Sequence, residues 1–255
     1  MVEKMAGKIY IVGMGPGFKS MMTEDAFKAM EQADVIVGYT VYIDLVKEHF
    51  PDKDFFTTPM KKEIERCRAC FDFALEGKTV AFICSGDAGI YGMAAPMYEL
   101  LPEYMEANSD LTEDNLIVIP GVTSAISGAA VLGAPINHDF CLISLSDLLT
   151  PWEVIEKRLK AAVMGDFSIV LYNPSSKKRH DYLEKACNIL IEAGASGDRA
   201  CGYVENIGRV GENSHVCTLS QLKNTQVNMF TTVFIGNSNT RIISDKLVTP
   251  RGYKI

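Results

Sequence analysis

"KIYIVGMGPG", residues 8–17, reads as a β-strand running into a glycine-rich turn. A strand followed by glycines is how nucleotide sites in α/β domains often begin, so what this turn holds decides the fold. Counting excludes two familiar answers. The dinucleotide fingerprint G-x-G-x-x-G finds Gly13 and Gly15 but meets Phe18 at the third position, where close helix–strand packing requires a residue without bulk. The P-loop pattern G-x-x-x-x-G-K-[ST] also lands on Phe18, and Lys19-Ser20 arrive without their glycine. Pro16 removes a backbone N–H from a loop whose use in both motifs is to offer N–H groups to phosphate. The turn is neither motif.

Working outward, strand and helix signals alternate, which predicts an α/β fold. Thr23 is placed to cap a helix over "EDAFKAMEQA", "DVIVGY" is a short strand, and "KKEIERCRACFDFALEG" is a helix that Gly77 ends. "KTVAFICSGD" is nearly continuous in apolar residues, as in a parallel strand covered on both faces. "IYGMAAPMYELL" is a helix with Pro96 near its first turn, and residues 103–115 are polar enough to be a surface connection. "LIVIPGVTSAISGAAVLG" is a strand, a turn and a helix of small residues. The pattern then restarts: strands "CLISLS", "FSIVLYNP", "RACGYVENI", "SHVCTL" and "MFTTVFIGN", with helices "PWEVIEKRLKAAVM" and "YLEKACNILIEAG". Pro135-Ile136-Asn137-His138 is the best hinge, giving an N-terminal α/β domain over 1–137 and a C-terminal one over 138–255.

Composition narrows the function. With 255 residues, 47% hydrophobic and 22% charged, the chain is an ordinary globular protein long enough for one large or two modest domains. A formal charge of -7 argues against a nucleic-acid partner. No apolar run approaches the roughly eighteen residues of a membrane span, and "MVEKMAGK" lacks the apolar core of a secretory signal, so a soluble cytoplasmic protein is expected. Seven cysteines, an odd number, suit reduced thiols. Cys67 and Cys70 form one C-x-x-C, but no second pair or nearby histidine completes a metal site, and the segment reads as helix. The histidines, His49, His138, His180 and His215, are dispersed, and no metal site is expected.

Ligands of open α/β sheets bind beyond the carboxyl ends of the strands. "GMGPG", "SGDAGIYG", "PGVTS", "YNPSS" and "VENIGRVGE" all stand at such ends. Asp87 among Gly86, Gly89 and Gly92 suits either a ribose diol or positive charge, or a helix cap. Thr123 and Ser124 open a helix, where hydroxyls and N–H groups face outward. No G-x-S-x-G elbow is present, and the carboxylates are not paired. Such a set positions two reactants for group transfer better than it performs hydrolysis.

These turns, in this order and over essentially the whole chain, resemble the tetrapyrrole (corrin/porphyrin) methylases, a family dependent on S-adenosylmethionine (SAM). "ISLSDLLTPWEVIEKRL", "LYNPSSKKR", "GRVGE", "TTVFIGNSNTR" and "TPRGY" strengthen the likeness. The resemblance implies two α/β domains of the class III methyltransferase fold with SAM in the cleft between them, and a homodimer. It implies methylation of C17 of precorrin-3B or its cobalt complex, coupled to ring contraction in cobalamin biosynthesis. It places Gly86, Asp87, Ile90, Tyr91, Thr123 and Ser124 against SAM, with Tyr172, Asn173, Thr231 and Thr232 completing the adenosine pocket. Gly13, Gly15, Pro16 and Gly17 are then expected on the tetrapyrrole side, with Lys177, Arg179 and Arg241 as carboxylate partners. Asp147, Glu205, Arg209 and Glu212 are the candidates to assist contraction, in which a hydroxyl at C20 loses its proton. Arg209 is also a candidate carboxylate partner. Methylation at another precorrin carbon, or a SAM- or tetrapyrrole-binding protein without turnover, are the alternatives.

Overall fold

The computed structural model describes residues 5–176 and 178–254. The chain forms two compact units. The first contains β1 (Ile9–Gly13), α1 (Glu24–Gln32), β2 (Val35–Tyr39), α2 (Thr40–Val46), β3 (Asp54–Thr58), α3 (Glu63–Leu75), β4 (Val80–Cys84), α4 (Ala94–Ala107) and β5 (Leu116–Ile119). Its sheet has the order β3-β2-β4-β1-β5, and every pairing is parallel. The middle strands are apolar throughout because both faces are covered. Ile11, Val37 and Phe82 pack with Phe71 and Met97 on one face, while Val12, Ile36 and Ile83 pack with Met30 and Ile43 on the other.

Local chemistry sets the helix ends. Thr23 Oγ1 accepts the Ala26 N–H at 3.1 Å, the expected N-cap. Gly77 follows α3 with φ +79°, a conformation that a side chain would strain. Pro96 lies in the first turn of α4, where its missing N–H costs no helical bond. The same helix continues through Pro102 to Ala107, over part of the stretch expected to be a surface connection. α2 and β3 were not anticipated at all.

The second unit holds α5 (Ser124–Leu132), β6 (Gly133–Ala134), β7 (Phe140–Ser144), α6 (Trp152–Met164), β8 (Ser168–Tyr172), α7 (Tyr182–Glu192), β9 (Ala200–Glu205), β10 (Asn213–Thr218), α8 (Leu219–Leu222), β11 (Thr231–Ile235), β12 (Arg241–Ile243) and β13 (Lys246–Val248). Its main sheet runs β10-β9-β11-β8-β7. β7 and β8 are parallel, and the other neighbours are antiparallel, so β7, β8 and β9 point the same way. A second sheet, β12-β13-β6, was also not anticipated.

The units divide between Thr123 and Ser124, ahead of α5, whereas the sequence reading put the boundary after residue 137. The reason is α5 itself. Its small residues let it lie flat on the second sheet, where Ala125, Ala129 and Leu132 share a core with Val170, Val204 and Phe234. An added Cβ at Gly128 would stand 2.8 Å from the Ile207 and Phe234 side chains. The helix belongs to the sheet it packs on.

Candidate active site

The carboxyl end of the first sheet is joined by backbone. Gly15 and Gly86 exchange N–H···O bonds of 3.0 and 2.8 Å, and Met14 N–H donates to Cys84 O at 2.9 Å. Both glycines have positive φ, +76° and +72°. Gly13 and Gly121 pack against the same point: an added Cβ at Gly121 would lie 2.2 Å from Gly86 O and 2.3 Å from Gly13 O. Three strand ends therefore close on one another where no Cβ fits. This answers what the GMGPG turn holds. It holds its neighbours.

Asp87 completes the closure. Its Oδ1 accepts the Gly89 N–H at 2.8 Å and its Oδ2 the Gly121 N–H at 2.9 Å. It stands too far ahead of α4 to cap that helix, so it ties its own turn to the one after β5. Beyond it the turn opens: Gly89 and Tyr91 are exposed, Ile90 is half-buried, and Tyr91 has φ +53°. Gly13, Gly15, Pro16 and Gly17, expected on the substrate side, are all buried, as is Thr123.

The carboxyl end of the second main sheet is joined by side chains. The register sets Ser144 against Tyr172 and Thr231 against Glu205, with Thr232 opposite Val204. Tyr172, Thr231, Thr232 and Glu205 thus come to one sheet end, together with the loops that follow β7, β8 and β9. Tyr172 hydroxyl accepts the Ala125 N–H at 2.9 Å, satisfying a helix-start donor just beyond Ser124. Asn173, at φ +54°, donates from Nδ2 to Ser144 Oγ at 2.9 Å. Thr231 is buried, and its Oγ1 accepts the Asn228 N–H at 3.2 Å.

Asp147 sits in a network that the sequence did not disclose. Its Oδ2 accepts from the Tyr182 hydroxyl at 2.6 Å and its Oδ1 from Arg179 Nη1 at 3.1 Å. Arg179 also reaches Ser146 Oγ at 2.9 Å and Ser176 Oγ at 3.1 Å. The Tyr182 hydrogen bond, with Arg179 beside it, holds the Asp147 carboxyl below its ordinary value, while Asp147 pushes the Tyr182 hydroxyl up. Two residues expected in different roles are partners of each other. After β9, Glu212 Oε2 accepts the Gly208 N–H at 2.8 Å, Glu205 Oε1 accepts from Asn228 Nδ2 at 3.1 Å, and Arg209 stands 5.5 Å from the Phe230 ring. Arg241 is not gathered here; it opens β12, past the opposite end of β11. Lys177 lies outside the described residues. Tyr182, Ser146 and Asn228 were missed because single hydroxyls and amides in polar loops carry no periodic signal.

Residues 8–223 match the model of the Tetrapyrrole (Corrin/Porphyrin) Methylases. The chain belongs to the tetrapyrrole methylases. It is 43% identical over 245 residues to the "Probable cobalt-factor III C(17)-methyltransferase" of Salmonella typhimurium, covering 96% of this chain and 99% of the relative. Against the "Precorrin-3B C(17)-methyltransferase" of a Sinorhizobium species, identity is 35% over 254 residues, 98% of each chain. The crystal structure of the methyltransferase CobJ superposes with a TM-score of 0.84 at 31% identity, over 96% of this chain and 100% of that one. The methylase has the α/β class III fold of SAM-dependent methyltransferases, and it is an enzyme.

Among the described residues of the methylase, no group of three His, Cys, Asp or Glu could hold a metal ion, and no helix is long and apolar enough to cross a membrane. Cys67 and Cys70 are buried on α3 in the core that also contains Cys84. Burial pushes the thiols up, Cys67 to about 11 and Cys84 to about 12, so both are protonated, inert core groups.

Proposed function

We propose that this methylase transfers the methyl group of SAM to C17 of cobalt-precorrin-3B (cobalt-factor III), with contraction of the macrocycle, on the way to cobalamin. The observation that carries the reading is end-to-end identity of 43% with the Salmonella protein. Metal-free precorrin-3B is the second reading, favoured by the 35% identity with the Sinorhizobium protein. A homodimer in the cytoplasm is part of the same proposal.

The first unit suits SAM. Residues 85–92 contain a carboxylate and open backbone but no cationic side chain, which fits a sulfonium and would serve a phosphate poorly. Gly86, Asp87, Ile90 and Tyr91 would hold the cofactor, with Thr123 and Ser124 beside them and Tyr172, Asn173, Thr231 and Thr232 against the adenosine. When bound, SAM supplies an electrophilic methyl group. An enamine-like ring carbon is already nucleophilic, so the chain's task at that step is alignment.

Contraction requires a proton to leave the C20 hydroxyl. Asp147 is a poor base, because Tyr182 and Arg179 stabilise its anion. Glu212 is occupied in closing its own loop. Glu205, at the end of β9 and bonded through Oε1 to the Asn228 side chain rather than to its own loop's backbone, is the acid–base residue in this reading, and Arg209 binds a peripheral carboxylate. Gly13, Gly15, Pro16 and Gly17 act through the fold rather than through contact with the ring. The test is anaerobic incubation with SAM and each tetrapyrrole, read by mass spectrometry. Gain of one methyl on the cobalt compound supports the proposal; gain on the metal-free compound alone moves the enzyme to the second reading. Methylation of neither removes both.

A further inference from the structure

Three apolar side chains stand out at the carboxyl end of the second main sheet. Leu149 is 98% exposed, Val210 93% and Leu148 63%. Isolated exposed leucines are ordinary, but these cap loops that are held in place. In the loop after β7, Leu145 N–H donates to Tyr172 O at 2.9 Å, and Asp147 is fixed by Tyr182 and Arg179. In the loop after β9, Asn206, Gly208 and Gly211 all have positive φ, and Glu212 draws the loop shut through Gly208. A slack loop could fold its leucine back onto the core. A pinned one keeps it out.

We propose that Leu148-Leu149 and Val210 form two apolar tips that grip the face of the tetrapyrrole macrocycle. Between β7 and β9 lie β8 and β11, so the tips rise from strands about 14 Å apart, three interstrand spacings. That span suits a ring of four linked pyrrole units. The ligand is apolar in its ring and anionic at its rim: Arg209 directly precedes Val210, and the Asp147 carboxylate that precedes Leu148 is already paired with Arg179. The inference rests on the tetrapyrrole methylation reading and gives a role to three residues of the "SLSDLL" and "GRVGE" stretches that the family-derived site leaves without one.

The test compares the wild-type enzyme with Leu148→Ser/Leu149→Ser and with Val210→Ser. All three residues are exposed, so the variants should keep the wild-type thermal midpoint. KM for cobalt-precorrin-3B should rise about tenfold for each variant, the effect of losing one buried apolar contact, while SAM affinity by calorimetry stays the same. An unchanged KM in both variants overturns the proposal. So does a change in sedimentation mass with KM unaffected, which would assign the tips to contact between copies of the chain. If the wild-type enzyme methylates neither tetrapyrrole, the underlying reading fails instead. That result is distinct from turnover that ignores the tips.

Discussion

The two units finish their strands in opposite ways. At the end of the first sheet, Gly13, Gly86 and Gly121 approach so closely that backbone meets backbone. At the end of the second, Asp147, Arg179, Tyr182, Glu212 and Tyr172 bridge the loops with hydroxyl, carboxylate and guanidinium groups. Both arrangements preorganise a sheet edge. They differ in what breaks them: the first is vulnerable to any added atom, the second to lost charge or lost hydroxyls. The glycine contacts, Asp87 apart, are insensitive to pH and intolerant of substitution, and a side-chain closure is the reverse.

The largest expected effect tests the first half of that contrast. Gly121→Ala puts a methyl against two carbonyl oxygens that cannot rotate away, and should cost about 3 kcal/mol in urea unfolding or abolish soluble protein. A loss below about 0.5 kcal/mol would mean that the strand ends part easily. Next comes Asp87→Asn. It turns one of two acceptors into a donor facing a backbone N–H, so a loss of about 2 kcal/mol is expected, together with weaker SAM binding by calorimetry. Intact SAM affinity would confine Asp87 to the fold. Thr23→Ala provides a reference at an ordinary helix start, with about 1 kcal/mol expected by thermal unfolding. If it matches Gly121→Ala, the glycine closure is nothing special.

The smallest effect belongs to the second unit and disappears in acid. Asp147 has its carboxyl lowered from an ordinary 3.8, so its contribution is fully present above that value and is lost as pH falls through the lower folded value. Asp147→Asn should therefore lower stability slightly in the neutral range, since the pair is partly solvated, and flatten stability against pH below about 3.8, where the variant converges on wild type. An acid limb identical to wild type would remove Asp147 from the loop closure.

Much of the fold could be read from local signals. Thr23, Gly77 and the buried runs of β1, β2, β4 and β8 gave their elements plainly. β3 did not, because "DFFTT" is an edge strand whose residues are mostly part-exposed, so neither alternation nor a continuous apolar run appears. α2 begins directly at the end of β2 with Thr40 and Val41, whose branched side chains suit strands as well as helices. The second half of α4 is solvated and contains Pro102, which hides it twice. The site divides similarly. The glycine turns were visible, but their meaning was not, because close approach between Gly13 and Gly121 is a fact of three dimensions. The same holds for Asp147: a carboxylate in a loop looks available until the tyrosine that occupies it is placed.

The seven thiols have a practical consequence. Five are buried and two half-buried, and burial pushes Cys141 and Cys217, the most accessible, to about 11. Alkylating reagents attack thiolates, so the folded chain should react slowly with iodoacetamide, whereas each opening of either core presents fresh nucleophiles. Cys67, Cys70 and Cys84 report on the first unit and Cys187 and Cys201 on the second. Peptide-resolved labelling would therefore time the opening of each unit separately, with no probe added to the sequence.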